Sequence, residues 1–363
     1  MKKKIKLFEV NSDQQEKNVI NQVLKSGFWA SGSGVGNVNR FEEKFSKYIG
    51  SKFSVAVNSG TAALHLALSL IDLKNKEVIL PSLSFVSTAH AVVYNGGRPI
   101  FADVDSKTLC IDPENIKSHI SKKTRVILPV HFGGMACNLD TIKKICKDNN
   151  IILIEDAAHA AGASYKKKKI GVHGDAVCFS FHPVKNLAMP NGGAITLNNK
   201  SSLKSRKNLL TKRWCGISNR KGSTYDITEL GWNYYMNEFS AAIGLKQLKK
   251  LDKVNKIRKK IAKRYCEEIT VENKMPFNYE CSYHLFWIRV KNREKFMKEM
   301  NRNGIETGIH YNPIHKMTFY AQKQKLKITE EVGKEIVSIP MHPNLTENNV
   351  DFIIKNINKS KYV

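Results

Sequence analysis

Residues 53–200 alternate short apolar runs with longer amphipathic segments. This alternation is the βαβ rhythm of a mainly parallel sheet covered by helices on both faces, so it predicts an α/β fold. Strands are predicted at the apolar runs 53–57, 78–80, 99–102, 126–130, 151–154, 177–181 and 194–197. Helices are predicted between them at 62–70, 86–94, 113–120 and 139–148.

The chain has 363 residues, more than one typical hydrophobic core holds, so two lobes are expected. A long amphipathic helix is predicted at 241–265, because Leu245, Leu248 and Leu251 recur near helical spacing. We predict that it bridges a large domain, residues 1–245, and a smaller C-terminal α+β domain, residues 246–363. The smaller domain has predicted strands at 283–290 and 336–339, a helix near 294–301 and a closing helix from Thr346. Thr346 is a predicted cap that lacks the acidic partner of a full capping box.

The net charge of +27 raises nucleic-acid binding as a possibility. The lysines are spread along the chain without a helix-turn-helix or zinc-finger pattern, so solvated surfaces are favoured, with a hairpin tip at Lys166 to Lys169. The seven scattered cysteines favour free thiols in a reducing compartment. No apolar run approaches the roughly 20 residues that a membrane helix needs. We therefore expect a cytoplasmic protein without metal, membrane or nucleic-acid partners.

Lys185 follows the predicted strand 177–181, where the carboxyl edge of the sheet opens into a crevice. The strand 151–154 brings Asp156 to the same edge. A lysine that forms a Schiff base and an acid that holds a pyridinium nitrogen are the two requirements of pyridoxal phosphate chemistry. Taken alone, Asp156 could equally be a helix N-cap. Together the two residues predict a pyridoxal phosphate site.

Further residues suit the same cofactor. Gly60 and Thr61 begin a predicted helix and could bind a phosphate, although Ser-Gly-Thr is also an ordinary N-cap. Ser180, five positions before the lysine, could bind the same phosphate. Phe85 could stack on the cofactor ring, although a core position is the commoner outcome for such a phenylalanine. His159, placed one helical turn after the acid, could bond the ring oxygen or be structural.

These motifs, in this order, resemble the DegT-type nucleotide-sugar aminotransferases, which are pyridoxal phosphate enzymes of the aspartate-aminotransferase fold. The resemblance runs almost from end to end of the chain. It is carried by Asn58-Ser59-Gly60-Thr61-Ala62-Ala63-Leu64, Pro81-Ser82-Leu83-Ser84-Phe85, Glu155-Asp156-Ala157-Ala158-His159, Phe179-Ser180-Phe181-His182-Pro183-Val184-Lys185, Gly231-Trp232-Asn233-Tyr234-Tyr235 and His310-Tyr311-Asn312-Pro313-Ile314-His315.

The resemblance implies a role for each matching residue. Lys185 is the Schiff-base lysine, Asp156 the partner of the pyridinium nitrogen and Phe85 the residue stacked on the ring. Phosphate contacts fall to Gly60, Thr61 and Ser180, with His159 near the ring oxygen and Asn233 reaching the phosphate from a second subunit. A homodimer with composite sites is therefore expected. Tyr311 and His315 match a segment near the sugar.

Two stretches depart from the family pattern. Relatives commonly carry an acidic residue in the run after the lysine, where this chain has Met189, Pro190 and Asn191. Many carry arginine where this chain has Tyr235. These departures concern the substrate and leave the cofactor residues intact.

The implied function is transfer of an amino group from an amino acid, by resemblance glutamate, to a keto-sugar. That sugar is expected to be nucleotide-linked and destined for surface polysaccharide. One alternative is a sugar 3-dehydratase on the same scaffold, against which Lys185 argues because that branch has histidine there. Another is a basic regulatory or DNA-binding relative without catalysis.

Overall fold

The computed structural model describes residues 4–199, 201–321 and 324–363. The helices are α1 (Gln14–Ser26), α2 (Asn37–Ile49), α3 (Gly60–Leu68), α4 (Ser87–Tyr94), α5 (Pro113–Ser118), α6 (Leu139–Asp148), α7 (Ser202–Lys212), α8 (Glu238–Glu268), α9 (Arg293–Arg302), α10 (Lys327–Glu335) and α11 (Glu347–Lys359). The strands are β1 (Phe53–Val57), β2 (Glu77–Pro81), β3 (Arg98–Ala102), β4 (Thr124–Ile127), β5 (Ile152–Asp156), β6 (Ser164–Tyr165), β7 (Lys168–Lys169), β8 (Ala176–Ser180), β9 (Gly193–Leu197), β10 (Ile217–Lys221), β11 (Thr224–Ile227), β12 (Phe286–Arg289) and β13 (Ile336–Ile339).

The large sheet has the strand order β1-β9-β8-β5-β4-β2-β3 over the described part of the chain. Strands β3, β2, β4, β5 and β8 are parallel to one another, whereas β9 runs antiparallel to both β8 and β1. The predicted mainly parallel α/β sheet is therefore confirmed. Each predicted strand and helix of this region is present, with ends that differ by no more than three residues. Most strand residues are buried, as expected for a sheet covered on both faces.

Helix α8 is 31 residues long and crosses the predicted domain boundary after residue 245. The division into two domains remains a prediction. Beyond α8, strands β12 and β13 pair antiparallel, with Phe286 opposite Ile339. Thr346 caps α11, and the Asn349 side-chain oxygen accepts the Thr346 N–H at 3.2 Å. An amide thus completes the capping box for which the sequence offered no acid.

Helices α1 and α2 were not anticipated from the sequence, although each carries a readable signal. Asp13 and Glu16 form a complete capping box at the start of α1. Phe41, Phe45 and Ile49 recur every four residues on the buried face of α2. Both helices pack against α8, so the long helix is covered by elements from the start of the chain.

The basic surface behaves largely as expected. Lys166 and Lys167, at φ 49° and 66°, form the turn between β6 and β7, which confirms a hairpin tip at this basic run.

The seven cysteines have free thiols. Among the described helices, none is long and apolar enough to cross a membrane.

Candidate active site

The carboxyl ends of β5 and β8 open onto a cavity of about 440 Å³. These neighbouring strands are parallel, with Asp156 opposite Cys178, so their last residues arrive at the same edge of the sheet. The start of α3, the loop before α4 and residues 310–311, beyond α8, also line this cavity. Eight of the predicted site residues line this cavity, namely Gly60, Thr61, Phe85, Asp156, His159, Ser180, Lys185 and Tyr311.

Lys185 stands on a turn after β8, where its N–H donates to the His182 carbonyl at 2.8 Å. Burial of the amine lowers the pKa of Lys185 to about 8, while the negative charge of Asp156 opposes this shift. With such a pKa, about a tenth of the amine is neutral at pH 7. The structure therefore supplies a nucleophilic amine near neutral pH.

Asp156 ends β5 with a carboxylate that is only 4% exposed. One carboxylate oxygen accepts the Thr88 hydroxyl at 2.8 Å and the other accepts the Ala158 N–H at 3.0 Å. Burial raises the pKa of Asp156, opposed by these two hydrogen bonds and by the charge of Lys185. A turn follows Asp156 where the N-cap alternative needs a helix, so that alternative is wrong.

His159 reaches the cavity from this turn, and the expected position one helical turn after Asp156 is wrong because residues 157–163 form no helix. Its Nδ1 accepts the Gly133 N–H at 3.2 Å, and its Nε2 lies 3.1 Å from the Tyr311 hydroxyl. Burial first, and then the charge of Lys185, hold the pKa of His159 well below its usual range. The ring is therefore neutral, with its hydrogen on Nε2.

The start of α3 forms a compact corner of the cavity. The Ser59 side chain accepts the Ala62 N–H at 3.1 Å, so Ser59 is the N-cap. The amides of Gly60 and Thr61 have no intrahelical acceptor at this position. A Cβ atom added at Gly60 would lie 2.7 Å from the Ser180 Cβ, so only glycine allows α3 to approach β8 this closely. The corner collects amides and hydroxyls that suit an anion.

Phe85 is 57% exposed, so the expectation of a core phenylalanine is wrong. It lies in the loop before α4, and Leu83 occupies the buried position instead. The Phe85 and Tyr311 ring centroids are 6.1 Å apart, with the planes tilted by 55°. Phe85 therefore presents an aromatic face to the cavity.

Two predicted residues are absent from the described cavity wall. His315 is buried, with its Nδ1 2.6 Å from the Ser82 hydroxyl at the end of β2 and its Nε2 3.3 Å from the Glu330 carboxylate of α10. Both ring nitrogens therefore have partners outside the cavity. Asn233 is exposed, and its backbone carbonyl accepts a hydrogen bond from the Asn58 side-chain amide at 3.3 Å. Neither side chain reaches the cavity of its own chain.

Several residues in or beside the cavity were given no role from the sequence. The Ser84 hydroxyl donates to the Thr88 hydroxyl at 2.8 Å, and the Thr88 hydroxyl donates in turn to the Asp156 carboxylate. Their spacing of four within a predicted helix start is the signal that could have paired them. His284 lies beside Lys185, and His310 lines the wall. His284 stands beside the apolar run 285–288, where sequence offers no means to distinguish it from a structural residue. His310 belongs to the motif 310–315 that carries the resemblance, but it was given no role there.

This fold, with a buried amine and a buried carboxylate at the carboxyl edge of the sheet, defines the class of type I pyridoxal phosphate enzymes. Residues 10–358 match the profile of the DegT/DnrJ/EryC1/StrS aminotransferase family. The chain belongs to this family and is a pyridoxal-phosphate-dependent aminotransferase.

Other aminotransferases and related proteins are similar to this chain in sequence or structure over nearly its whole length. The spore coat polysaccharide biosynthesis protein SpsC of Bacillus subtilis is 32% identical over 365 residues, which cover 94% of this chain and 93% of SpsC. PseC of Helicobacter pylori, an aminotransferase of pseudoaminic acid biosynthesis, superposes with a TM-score of 0.92 at 26% identity, covering 98% of this chain and 99% of PseC. The pyridoxal phosphate form of Spr1654 from Streptococcus pneumoniae, a sugar aminotransferase by its description, gives a TM-score of 0.91 at 25% identity and 98% coverage of each chain.

The cavity residues fit pyridoxal phosphate. Asp156 offers a buried carboxylate that accepts hydrogen bonds from Thr88 and Ala158 and has lone pairs left for a pyridinium N–H. Lys185 offers an amine with a lowered pKa. The corner of Gly60, Thr61 and Ser180 in the same cavity offers amides and hydroxyls for a phosphate.

Proposed function

We propose that this aminotransferase moves an amino group from glutamate to the keto carbon of a nucleotide-linked sugar. The observation that carries the proposal is the placement of the Lys185 amine and the Asp156 carboxylate in one cavity at the sheet edge. The names of SpsC and PseC support a sugar product used in a surface glycoconjugate. The presence of Lys185 also favours amino transfer over the dehydratase alternative.

The cavity residues divide into those that hold the cofactor and those that move a proton. In this proposal Lys185 holds pyridoxal phosphate covalently, Asp156 keeps its ring nitrogen protonated and Phe85 packs on its ring. The cofactor phosphate would bind in the corner formed by Gly60, Thr61 and Ser180. When bound, the cofactor supplies a sink for the electrons that a breaking substrate C–H bond releases.

Once the amino group of the amino acid has replaced Lys185 on the cofactor, the freed neutral Nζ of Lys185 would take the proton from that bond and return it at the end of the half-reaction. His159 holds its hydrogen on Nε2, the nitrogen that bonds Tyr311. It would donate that hydrogen to the ring oxygen of the cofactor in place of the Tyr311 hydroxyl. Tyr311 adds a hydroxyl to the same wall, which supports the prediction that it contacts the substrate. Because His315 is engaged elsewhere, we do not extend the substrate site to it.

A second copy of the chain completes the site in this proposal. Asn233 is exposed and does not line the described cavity of its own chain, as expected of a residue that reaches a partner's phosphate. Tyr225, Ile227 and Leu230 are 58%, 54% and 77% exposed nearby in the chain. Exposed apolar residues so close together support a protein interface. We propose a homodimer, located in the cytoplasm, where the free thiols stay reduced.

Substrate choice falls partly to Asn191, which lines the cavity and accepts the Ser240 hydroxyl at 2.7 Å. An amide here replaces the acid common among relatives, so the wall has lost one negative charge. Met189, by contrast, is 2% exposed and belongs to the core. Of the run after the lysine, Asn191 is therefore the residue to alter when testing the choice of sugar.

The proposal is tested by adding glutamate to the purified enzyme with its cofactor. We expect about one equivalent of 2-oxoglutarate per chain and loss of the visible absorbance of the lysine-bound cofactor. A panel of nucleotide-linked keto-sugars then identifies the acceptor, because the correct sugar restores the absorbance. No change of absorbance with any amino acid would refute the proposal.

The rate at which pyridoxal phosphate attaches to the cofactor-free chain is expected to rise with pH. Only the neutral amine of Lys185 attacks, and its pKa of about 8 leaves it mostly protonated below that pH. The rate should increase about tenfold from pH 7 to pH 9 and level off above. Stopped-flow absorbance measures this rate, and a profile that is flat between pH 7 and pH 9 would contradict the assigned pKa.

Replacing Gly60 by valine is expected to weaken cofactor binding by about tenfold or more. The added side chain would collide with Ser180, whose Cβ lies 2.7 Å from a Cβ at position 60. Equilibrium titration followed by absorbance measures the dissociation constant. Ser69→Ala, at the other end of α3, is the matched control and should bind normally. Equal affinities of the Gly60→Val variant and wild type would place the phosphate elsewhere.

A further inference from the structure

The imidazole of His284, a residue beyond α8 in the chain, lies beside the Lys185 amine. Its Nε2 lies 3.4 Å from the Lys185 Nζ, although 99 residues separate them in the chain. This distance is long for a hydrogen bond, and such contacts in enzymes tighten when ligands bind. His284 could therefore either orient the Lys185 amine or serve only as a packing residue.

The backbone of His284 is held by contacts from two other parts of the chain. Its N–H donates to the Gly133 carbonyl at 2.9 Å. The Arg258 guanidinium donates to the carbonyls of Tyr283 and His284 at 3.1 Å and 3.2 Å. Tyr283 itself has φ 47°, a left-handed conformation that is rare for a bulky residue. Strained residues of this kind cluster at functional sites, where surrounding contacts hold them.

The ring of His284 is held as firmly as its backbone. Phe8 stacks on it, with centroids 5.4 Å apart and planes 10° from parallel. The His159 ring lies on it at 4.5 Å, tilted by 42°. Within the described residues, Nδ1 of this buried ring has no hydrogen-bond partner. A buried nitrogen without a partner is costly, and the two stacked rings leave Nε2 as the nitrogen that reaches the amine.

The charge state of the ring decides which group donates. Burial first, and then the charge of Lys185, hold the pKa of His284 well below its usual range. Other titratable or charged groups facing the pair are Asp156, His159, His310 and Arg258. A neutral imidazole has one nitrogen with a free lone pair. With that lone pair on Nε2, the ring accepts an N–H from the amine whether the amine is neutral or protonated.

We propose that His284 is a positioning residue for Lys185, whose Nε2 accepts a hydrogen from the amine, aims it into the cavity and stabilises its protonated form. The proposal rests on the proposed function, in which Lys185 takes a proton from the substrate carbon and returns it. Between these two transfers the proton stays on Nζ. His284 accepts a hydrogen bond from the amine and does not take the proton. No motif in the sequence pointed to this residue.

The test is the titration of Lys185 in the full-length chain after removal of cofactor. Acetic anhydride labels neutral amines, and mass spectrometry of the Lys185 peptide at a series of pH values reports its pKa. Removing the acceptor in His284→Leu should lower this pKa by about one unit, because hydrogen bonds to a charged group are worth about that much. His284→Gln can place an oxygen near the position of Nε2 and should restore most of the pKa.

Two controls separate the acceptor from packing. His342→Leu removes another buried histidine beyond α8 in the chain, one that bonds the Lys6 carbonyl, and should leave the Lys185 pKa unchanged. Thermal melting should show each variant folded, since leucine also removes the unpaired Nδ1. An unchanged Lys185 pKa in His284→Leu would overturn the proposal, as would equal decreases in the leucine and glutamine variants. Failure of the wild type to react with glutamate would instead refute the proposed function and leave this titration valid.

Discussion

Replacing Lys185 by alanine is expected to abolish amino transfer, lowering kcat/KM by about 10³-fold or more. The variant loses the covalent attachment of the cofactor and the base that moves the proton, and base catalysis alone contributes about 10²-fold to 10⁴-fold. Steady-state formation of 2-oxoglutarate from glutamate measures the loss. Absorbance spectra of the variant should also lack the band of the lysine-bound cofactor.

Lys166→Ala is the matched control for this variant. Lys166 sits at the hairpin tip, exposed and paired with Asp140, so its removal should leave the rate near that of the wild type. The chain carries 59 lysines and arginines, and this comparison separates the role of one amine from the basic surface as a whole. Retention of substantial activity by Lys185→Ala would mean that another amine is the reactive group.

Replacing Asp156 by asparagine is expected to lower kcat by about 10²-fold or more while the cofactor still binds. The change keeps the shape of the side chain but removes the negative charge that would hold the ring nitrogen protonated. Removal of one such preorganised electrostatic contact typically costs about 10²-fold to 10³-fold. Single-turnover decay of the cofactor absorbance after glutamate is added measures the chemical step directly.

Asp175→Asn serves as the control because this carboxylate bonds the Leu153 N–H at 3.1 Å and lies outside the described cavity wall. It should react at nearly the wild-type rate. Equal effects of the two substitutions would assign the loss to the stability of the sheet and remove Asp156 from the proposed site.

The sequence predicted the parts of this protein that depend on local pattern. The βαβ rhythm predicted the strands, and strand direction then brought Lys185 and Asp156 to one edge. Phe85 was harder, because exposure of a phenylalanine depends on which neighbour takes the core position, here Leu83. His159 was placed near the cavity for the wrong reason, since its approach depends on a turn with no local signature.

Contacts between distant residues lay beyond the sequence. Thr88 and Asp156 are 68 positions apart, and Lys185 and His284 are 99 apart, so no local spacing could pair them. The left-handed Tyr283, which sets the direction of His284, carries no glycine or asparagine to mark it. The order of strands in the large sheet brings Thr88 to Asp156, and packing of residues beyond α8 on that sheet brings His284 to Lys185.

The central claim is that nitrogen from an amino acid passes through the cavity of Lys185 and Asp156 to a sugar. The most direct measurement supplies glutamate labelled with ¹⁵N together with a nucleotide-linked keto-sugar that restores the cofactor absorbance. We predict that mass spectrometry finds the label in a sugar amine with wild-type enzyme and finds none with Lys185→Ala. A deoxygenated sugar without the label, or equal labelling by the two proteins, would contradict the claim.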